Sequence, residues 1–365
     1  MKQKNSLNKS ILVPLVILII TTLIGTTIAA AGIGTNDINA PLTEPTLGSL
    51  IVKVTENGKI SLSTDGIGMN TGAAVDTGNL RVEKPNAAAT VRKAYLMSAT
   101  TGFFYSTYHE GPGDVLLNGV DVFPWDLETT SSISSWNTWK DVTSIVKPIV
   151  DGAPAGIVNI PVAEANSNTA AIDGEALAVI FDDPAQPADN TIVLLFGAQD
   201  VLGDTFNVVL SEPADFTDPN FGIGFGLGIS FGAQPSGQFS NVNVNGNLLS
   251  GSAGGEDDGA HLNGALMTVG GIGDLPNPLF PENCGSDPRC DTERYQLIPP
   301  FVNNGNTNIK VDTLNPSNDD NIFFAWFDVK SNTAVVNPVP EFPSVVVPVA
   351  GVLGLMLLVY RRREN

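Results

Sequence analysis

The stretch that decides the fold runs from residue 51 to residue 62 and reads Ile51-Val52-Lys53-Val54-Thr55-Glu56-Asn57-Gly58-Lys59-Ile60-Ser61-Leu62. Apolar and β-branched residues fill both of its ends, and an Asn-Gly pair divides them. Asn-Gly is the strongest short signal of a β-hairpin, because both residues accept the positive φ angles of a type I′ turn. The stretch therefore predicts two paired strands, residues 51–55 and 59–62.

The same signal recurs at Asn118-Gly119 and at Asn245-Gly246, each between short runs rich in Val and Leu. The chain holds 37 glycines and 25 prolines among 365 residues, and no long segment has the 3.6-residue period of an amphipathic helix. Many short strands with turns between them favour an all-β fold. We predict two tandem jelly-roll-like β-sandwich domains, residues 50–189 and 190–334, preceded by a linker over residues 32–49.

A weak internal repeat underlies the two-domain prediction. Residues 94–181 and 192–327 each run from an apolar strand through an Asn-Gly hairpin to a final apolar strand. The second copy is longer, and most of its excess lies in residues 250–291. One large sandwich with chance similarity is the alternative.

The segment Phe221–Gly232 alternates large apolar residues with glycine over most of its length. In a strand, this alternation makes one face apolar and leaves the other almost bare. Each interior glycine costs roughly 0.5–1 kcal/mol relative to alanine, so we expect something to approach the bare face closely. The candidates are a second sheet, a bulky loop, or a flat ligand such as a polysaccharide chain.

Both ends of the chain carry an apolar segment beside a cationic flank. Lysines precede the run Ile11–Ile28, and the small residues Ala29–Ala31 suit a signal peptidase. We predict a signal peptide over residues 1–31, an uncleaved anchor being the alternative. At the other end, the uncharged run Ser344–Tyr360 is roughly 25 Å long as a helix, close to the ~30 Å hydrocarbon layer. We predict a transmembrane helix over 344–360. Cationic flanks stay in the cytosol, so the body lies outside the cell.

The motif Pro340-Glu341-Phe342-Pro343 stands before this span, and Arg361-Arg362-Arg363 stands behind it. This three-part tail, residues 335–365, resembles the PEF-CTERM sorting signal of archaeal surface proteins. The resemblance implies recognition by an archaeosortase, cleavage near residues 340–343, and transfer of the new C-terminus to a membrane lipid. A plain C-terminal anchor that is never processed is the alternative.

The chain is strongly acidic, with a formal net charge of −20. Removing both predicted targeting segments takes away more cations than acids, so the exported body is more acidic still. This charge argues against nucleic acid and anionic membrane surfaces as partners. It favours solubility and the binding of cations.

Two further groups of residues are candidate structural or metal sites. Cys284 and Cys290 are a close pair in an exported chain, which predicts a disulfide. The turns Glu256-Asp257-Asp258 and Asp319-Asp320 offer the hard oxygen ligands that Ca²⁺ requires, without the spacing of an EF-hand. Turns capped by their own aspartates are the alternative.

Trp125, Trp136 and Trp139 are candidates for stacking on sugar rings, although such residues also serve as core anchors. Ser230 stands in a G-x-S-x-G match, but a nucleophile elbow needs a strand, a sharp turn and a helix. Here the serine lies within a β alternation. The sequence shows no phosphate-binding loop, dinucleotide fingerprint or zinc cluster, so we do not expect an enzyme.

The body also resembles an uncharacterised family of exported bacterial and archaeal proteins with similar sorting tails. Residues Ile172–Pro184 and Asn315–Ala325 carry this resemblance, which brings no known activity. We expect a structural or adhesive cell-surface protein, lipid-anchored on the extracellular side of the membrane. The alternative is a module that binds extracellular polysaccharide or other surface proteins, with or without Ca²⁺. A secreted hydrolase is the least favoured function.

Overall fold

The computed structural model describes residues 46–47, 49–68, 75–100, 108–131, 133, 135–165, 172–231, 239–254, 267–274, 293–318, 320–330 and 335–336. All of the described residues belong to one compact unit, and residues 1–44 lie outside the described residues. The predicted signal peptide, the cysteine pair, the motif Pro340–Pro343 and the span 344–360 also lie outside them. Within the described residues, no helix has the length and apolarity needed to cross a membrane.

The first half of the unit contains two sheets, with strands numbered in chain order. The first inner sheet has the order β1 (Thr46–Leu47), β8 (Leu127–Thr130), β9 (Trp136–Asp141), β5 (Thr90–Thr100), β11 (Ile172–Asp182) and β3 (Ile60–Ile67). The first outer sheet has the order β4 (Val75–Lys84), β10 (Gly156–Ala165), β6 (Val115–Leu117) and β7 (Val120–Asp121). The helix α1 (Thr143–Asp151) follows β9.

The second half also contains two sheets. The second inner sheet has the order β17 (Met267–Val269), β14 (Gly222–Ser230), β20 (Asn321–Lys330), β12 (Asn190–Phe196) and β2 (Ile51–Gly58), and β18 (Arg294–Gln296) pairs with β14 beside β17. The second outer sheet has the order β16 (Asn247–Ala253), β15 (Ser240–Val244), β19 (Asn308–Leu314), β13 (Thr205–Leu210) and β21 (Val335–Val336). The predicted all-β fold is confirmed.

Three apolar cores stack the four sheets in layers. One core lies between the first outer and first inner sheets, and another lies between the second inner and second outer sheets. The third core joins the two inner sheets, with Trp139 and Ile180 from one and Phe196 and Phe324 from the other. The inner sheets are therefore covered on both faces, which explains why β11 and β12 are buried almost throughout.

The three Asn-Gly pairs have different outcomes. Asn118-Gly119 joins β6 to β7 and Asn245-Gly246 joins β15 to β16, each with both φ angles positive, as a type I′ turn requires. The hairpin predicted at Asn57-Gly58 is wrong. There β2 pairs with β12 and β3 pairs with β11, so the chain crosses from the second inner sheet to the first. The long apolar strands β11 and β12 each offer a pairing edge, so β2 and β3 become edge strands of two different sheets.

The crossing of β2 also bears on the predicted domain limits. Residues 51–58 fall within the segment 50–189, yet they pair with β12 in the second half. The end of the predicted linker forms β1, which pairs in parallel with β8. The division at residue 189 and the jelly-roll topology of each half stay predictions.

The bare face of the glycine-rich strand β14 is filled from within the same sheet. Gly226 lies opposite Trp326 of β20, and a Cβ added at Gly226 stands 2.3 Å from the indole. Gly228 lies opposite Phe324, whose Cβ is 3.0 Å from such an added atom. The close approach expected from the sequence is therefore made by aromatic side chains of the neighbouring strand. These side chains occupy the place for which a second sheet, a bulky loop and a polysaccharide chain were the candidates.

Candidate functional site

Three glutamate side chains lie at one end of the apolar core between the two sheets of the first half. Glu175 stands on β11 opposite Ser98 of β5. Glu164 stands on β10, in the facing sheet, opposite Asp76 of β4. Glu110 lies between β5 and β6. We call Glu110, Glu164 and Glu175 the carboxyl cluster.

All three side chains of the carboxyl cluster are fully buried. Glu110 is well bonded, because Ser98 Oγ donates to its Oε1 at 2.7 Å and Thr138 Oγ1 donates to its Oε2 at 3.2 Å. The carboxyl oxygens of Glu164 and Glu175 have no such donors among the described residues. Such buried oxygens are costly unless a proton removes the charge.

Protonation resolves this cost. Burial raises the pKa of Glu110 to about 8 and the pKa of Glu175 to about 8. Burial and repulsion by Glu175 raise the pKa of Glu164 well above its ordinary value. Protonation of Glu164 supplies the donor that Glu175 otherwise lacks, and this interaction raises the pKa of Glu164 and lowers that of Glu175. The cluster therefore takes up and releases protons in a pH range where exposed glutamates stay ionised.

The carboxyl cluster was not predicted from the sequence. A signal was present, because Glu164 follows the inward alternation of Ile160 and Val162, and Glu175 precedes that of Leu177 and Val179. An acidic residue at a position where the alternation predicts the core marks an unusual buried group. The sequence could not reveal that these positions lie on two sheets that face each other.

The predicted sugar-stacking tryptophans occupy different environments. Trp125 and Trp139 are each 4% exposed, as expected of core anchors, and sugar stacking by the three tryptophans stays a prediction. Trp139 packs on Tyr95 and Phe196 at ring-centroid distances of 4.7 and 5.5 Å. Trp136 is half-buried and contacts His109 edge-on, with the centroids 4.5 Å apart.

The predicted calcium ligands Glu256, Asp257, Asp258 and Asp319 lie outside the described residues. Asp320 is described and is 1% exposed, and it accepts a short hydrogen bond from Ser240 Oγ. In the part of the chain that the structure describes, no three His, Cys, Asp or Glu side chains are grouped as a metal site requires. Calcium binding by the acidic turns stays a prediction.

Ser230, the centre of the G-x-S-x-G match, is the last residue of β14 and is fully buried. Its hydroxyl accepts a hydrogen bond from Asn321 Nδ2 at 2.7 Å. Asn321 also donates to Asn137 Oδ1 at 2.9 Å, which ties the two inner sheets together. The serine thus belongs to a buried polar network between the halves.

Comparisons with known proteins bear on the tail more than on the body. No curated protein matches the chain. Among solved structures, the chain is similar to a recombinant N-glycanase F (PNGase F), at 10% identity and a TM-score of 0.24, over 77% of this chain and 100% of that one. A likeness this weak carries no argument, and the resemblance of the body to an exported family stays a prediction. Residues 339–364 match the PEF-CTERM archaeal protein sorting domain, which confirms the resemblance seen in the tail.

Proposed function

We propose that this chain is a structural or adhesive protein displayed on the extracellular side of the cell membrane. The observation that carries the proposal is the sorting domain at residues 339–364, which implies export and anchoring by a sortase-like enzyme. The lysine-flanked apolar N-terminus supports the same proposal, because this pattern predicts a signal peptide for export.

The proposed maturation has two steps. Signal peptidase removes residues 1–31, and an archaeosortase cuts near Pro340–Pro343 and joins the new C-terminus to a membrane lipid. The apolar span and Arg361–Arg363 are then discarded, as in other tails that are removed after targeting.

The body supports a structural role better than a catalytic one. The apolar core shared by the inner sheets holds the two halves of the body together. Arg81 adds a polar contact between the halves. It forms an ion pair with Asp65 at 3.0 Å, and its Nη2 also donates to Ile272 O in the second half. The Ser230 hydroxyl is hydrogen-bonded to Asn321 within this contact between the halves. We therefore propose no enzymatic activity.

Mass spectrometry of the protein from native membranes tests the proposal. We expect a C-terminal peptide that ends near residue 340 with a lipid mass attached, and an N-terminus near residue 32. A variant with Arg361, Arg362 and Arg363 changed to alanine should accumulate with its tail intact. Wild-type protein that retains Arg363 would contradict sorting, and would leave the plain anchor as the explanation.

A further inference from the structure

Exposed apolar side chains are grouped at one end of the second half, where strand β13 begins. Leu202, in the turn before β13, is 80% exposed, and Leu314, the last residue of β19, is 47% exposed. Gly203 brings this turn against β19, because a Cβ added at Gly203 stands 2.9 Å from Leu314 Cα. The two leucines are therefore neighbours on the surface.

Ile51 adds a third exposed apolar side chain at the same end. It is 54% exposed and begins strand β2. The preceding Leu50 N donates to Asp204 Oδ2 at 2.8 Å, and Asp204 directly follows the turn that carries Leu202. We call Ile51, Leu202 and Leu314 the apolar tip. Single exposed apolar residues are ordinary on a protein surface, whereas a group of them is a candidate contact surface.

Strand β21 directs the C-terminal tail toward the apolar tip. It is antiparallel to β13, and its last residue, Val336, stands opposite Val209. Strand β13 begins at Thr205, beside the turn of Leu202. A chain that leaves β21 in the direction of the strand therefore approaches that turn.

The tail also has the length needed to bring the lipid surface level with the tip. Pro343, the last residue before the apolar span predicted at residues 344–360, comes seven positions after Val336. Leu202 comes seven positions before Val209, the residue opposite Val336. Seven extended residues cover at most about 25 Å. A tail that continues in the direction of β21 therefore enters the lipid at the level of the tip.

The charges beside the tip favour a neutral lipid surface over an anionic one. Asp200 and Asp204 flank the turn, and Asp312 pairs with Lys310 at 2.7 Å. With three carboxylates beside Lys310, this end repels anionic headgroups. The apolar side chains of the tip are free of that repulsion at a neutral surface.

We propose that the apolar tip contacts a neutral lipid surface of the membrane that holds the chain. The proposal rests on the proposed anchoring through the C-terminal tail. Three side chains are too few to hold a free protein on a membrane, but the anchor keeps them at a high local concentration beside the lipid. The contact fixes the orientation of the body on the membrane, which a tether alone does not.

Photo-crosslinking of the full chain in phosphatidylcholine nanodiscs tests this contact. One lipid carries a diazirine at the level of the headgroup, and mass spectrometry locates the lipid adducts on the protein. We expect adducts on the turn of Leu202 and at Leu314, and a lower yield when half of the lipid is phosphatidylglycerol. Adducts on residues 337–343 without any on the tip, or a higher yield in the anionic discs, would overturn the proposal.

Ile298 is the matched reference position for the adducts. It is 43% exposed, close to the value for Leu314. It lies at the opposite end of the second half, because Leu297 N donates to Ile223 O where β20 finishes, whereas the tip lies where β20 begins. Equal adduct yields at Ile298 and Leu314 would contradict a contact through the tip.

Two changes to the chain separate the tip from the tether, each in a variant first shown to melt like wild type. Leu202→Glu, at an exposed residue, should lower the adduct yield at Leu314 at least threefold, while Ile298→Glu should leave it unchanged. An insertion of about twelve Gly and Ser residues after Val336 should lower the yields at both leucines several-fold, because a longer flexible tether holds the tip less closely. A yield at Leu314 that stays at the wild-type level in Leu202→Glu and in the insertion variant would overturn the proposal.

Cleavage of the tail plays no part in this measurement, because the chain is attached through residues after Val336 whether or not the tail is cut. Recovery of Arg363 from native membranes would contradict sorting without affecting the contact. Absence of adducts on the tip would overturn the contact and leave the sorting proposal intact.

Discussion

At the scale of single residues, the carboxyl cluster links stability to pH. The folded-state pKa values of Glu110 and Glu175, about 8, lie above the ordinary value of 4.5. The native state therefore holds protons that the unfolded chain releases, so the cluster's contribution is present below about pH 4.5 and is lost as the pH rises through about 8. Each pKa unit is worth about 1.4 kcal/mol, and the loss amounts to several kcal/mol.

Glu175→Gln should reduce this loss. The introduced amide cannot ionise, and it donates a hydrogen bond to Glu164. We expect the variant to melt at a higher temperature than wild type at pH 8.5 and at a similar temperature at pH 4. The exposed Glu212, changed to Gln, is the control and should leave the pH profile unchanged. If the melting temperatures of Glu175→Gln and wild type differed by the same amount at every pH from 4 to 8.5, the cluster would not govern the pH dependence of stability.

Gly226 is a residue whose small size is required by the packing of a neighbouring side chain. Its replacement by alanine puts a Cβ 2.3 Å from the buried indole of Trp326, whose ring must then shift. We expect Gly226→Ala to lower the free energy of unfolding by about 1–3 kcal/mol, as overpacking does. Gly222→Ala, in the same strand and on the same face, has no neighbour closer than 3.9 Å and should be nearly neutral. Urea unfolding of the two variants compares them, and equal midpoints would refute the packing explanation.

At the scale of elements, the turns show what a sequence can and cannot specify. Asn118-Gly119 and Asn245-Gly246 were predictable, because a two-residue turn depends on local φ angles. Asn57-Gly58 carries the same local signal, but its flanking strands find better partners more than 100 residues away. The carboxyl cluster was missed for the same reason, since Glu164 and Glu175 meet only through the packing of two sheets.

The turn at Gly119 gives an element-scale prediction. Its φ of 74° is in the left-handed region, and nothing lies within 4 Å of an added Cβ. Gly119→Ala should therefore cost about 1–2 kcal/mol through backbone strain alone, which thermal unfolding can measure. Gly111→Ala is the control in the same region, because its φ is outside that range and its nearest neighbour is 3.8 Å away. A variant at Gly119 as stable as the control would argue against a type I′ turn.

At the scale of the whole molecule, the third core predicts that the two halves unfold as one cooperative unit. It buries apolar residues of both inner sheets, and the indole of Trp139 packs against Phe196 across the join. Two sandwiches connected only by a linker would unfold independently, whereas a shared core makes the loss of one half expose the other. We therefore expect a single calorimetric transition for the body.

Phe206→Ala tests this cooperativity, because Phe206 is buried only in the core of the second half. The substitution should cost about 3–5 kcal/mol. In a cooperative unit, that cost also lowers the hydrogen-exchange protection of β10, in the outer sheet of the first half, which Phe206 does not contact. Leu202→Ala, at a residue that is 80% exposed, should change neither half. If Phe206→Ala weakened hydrogen-exchange protection in the second half alone, the two halves would unfold separately, as two independent domains.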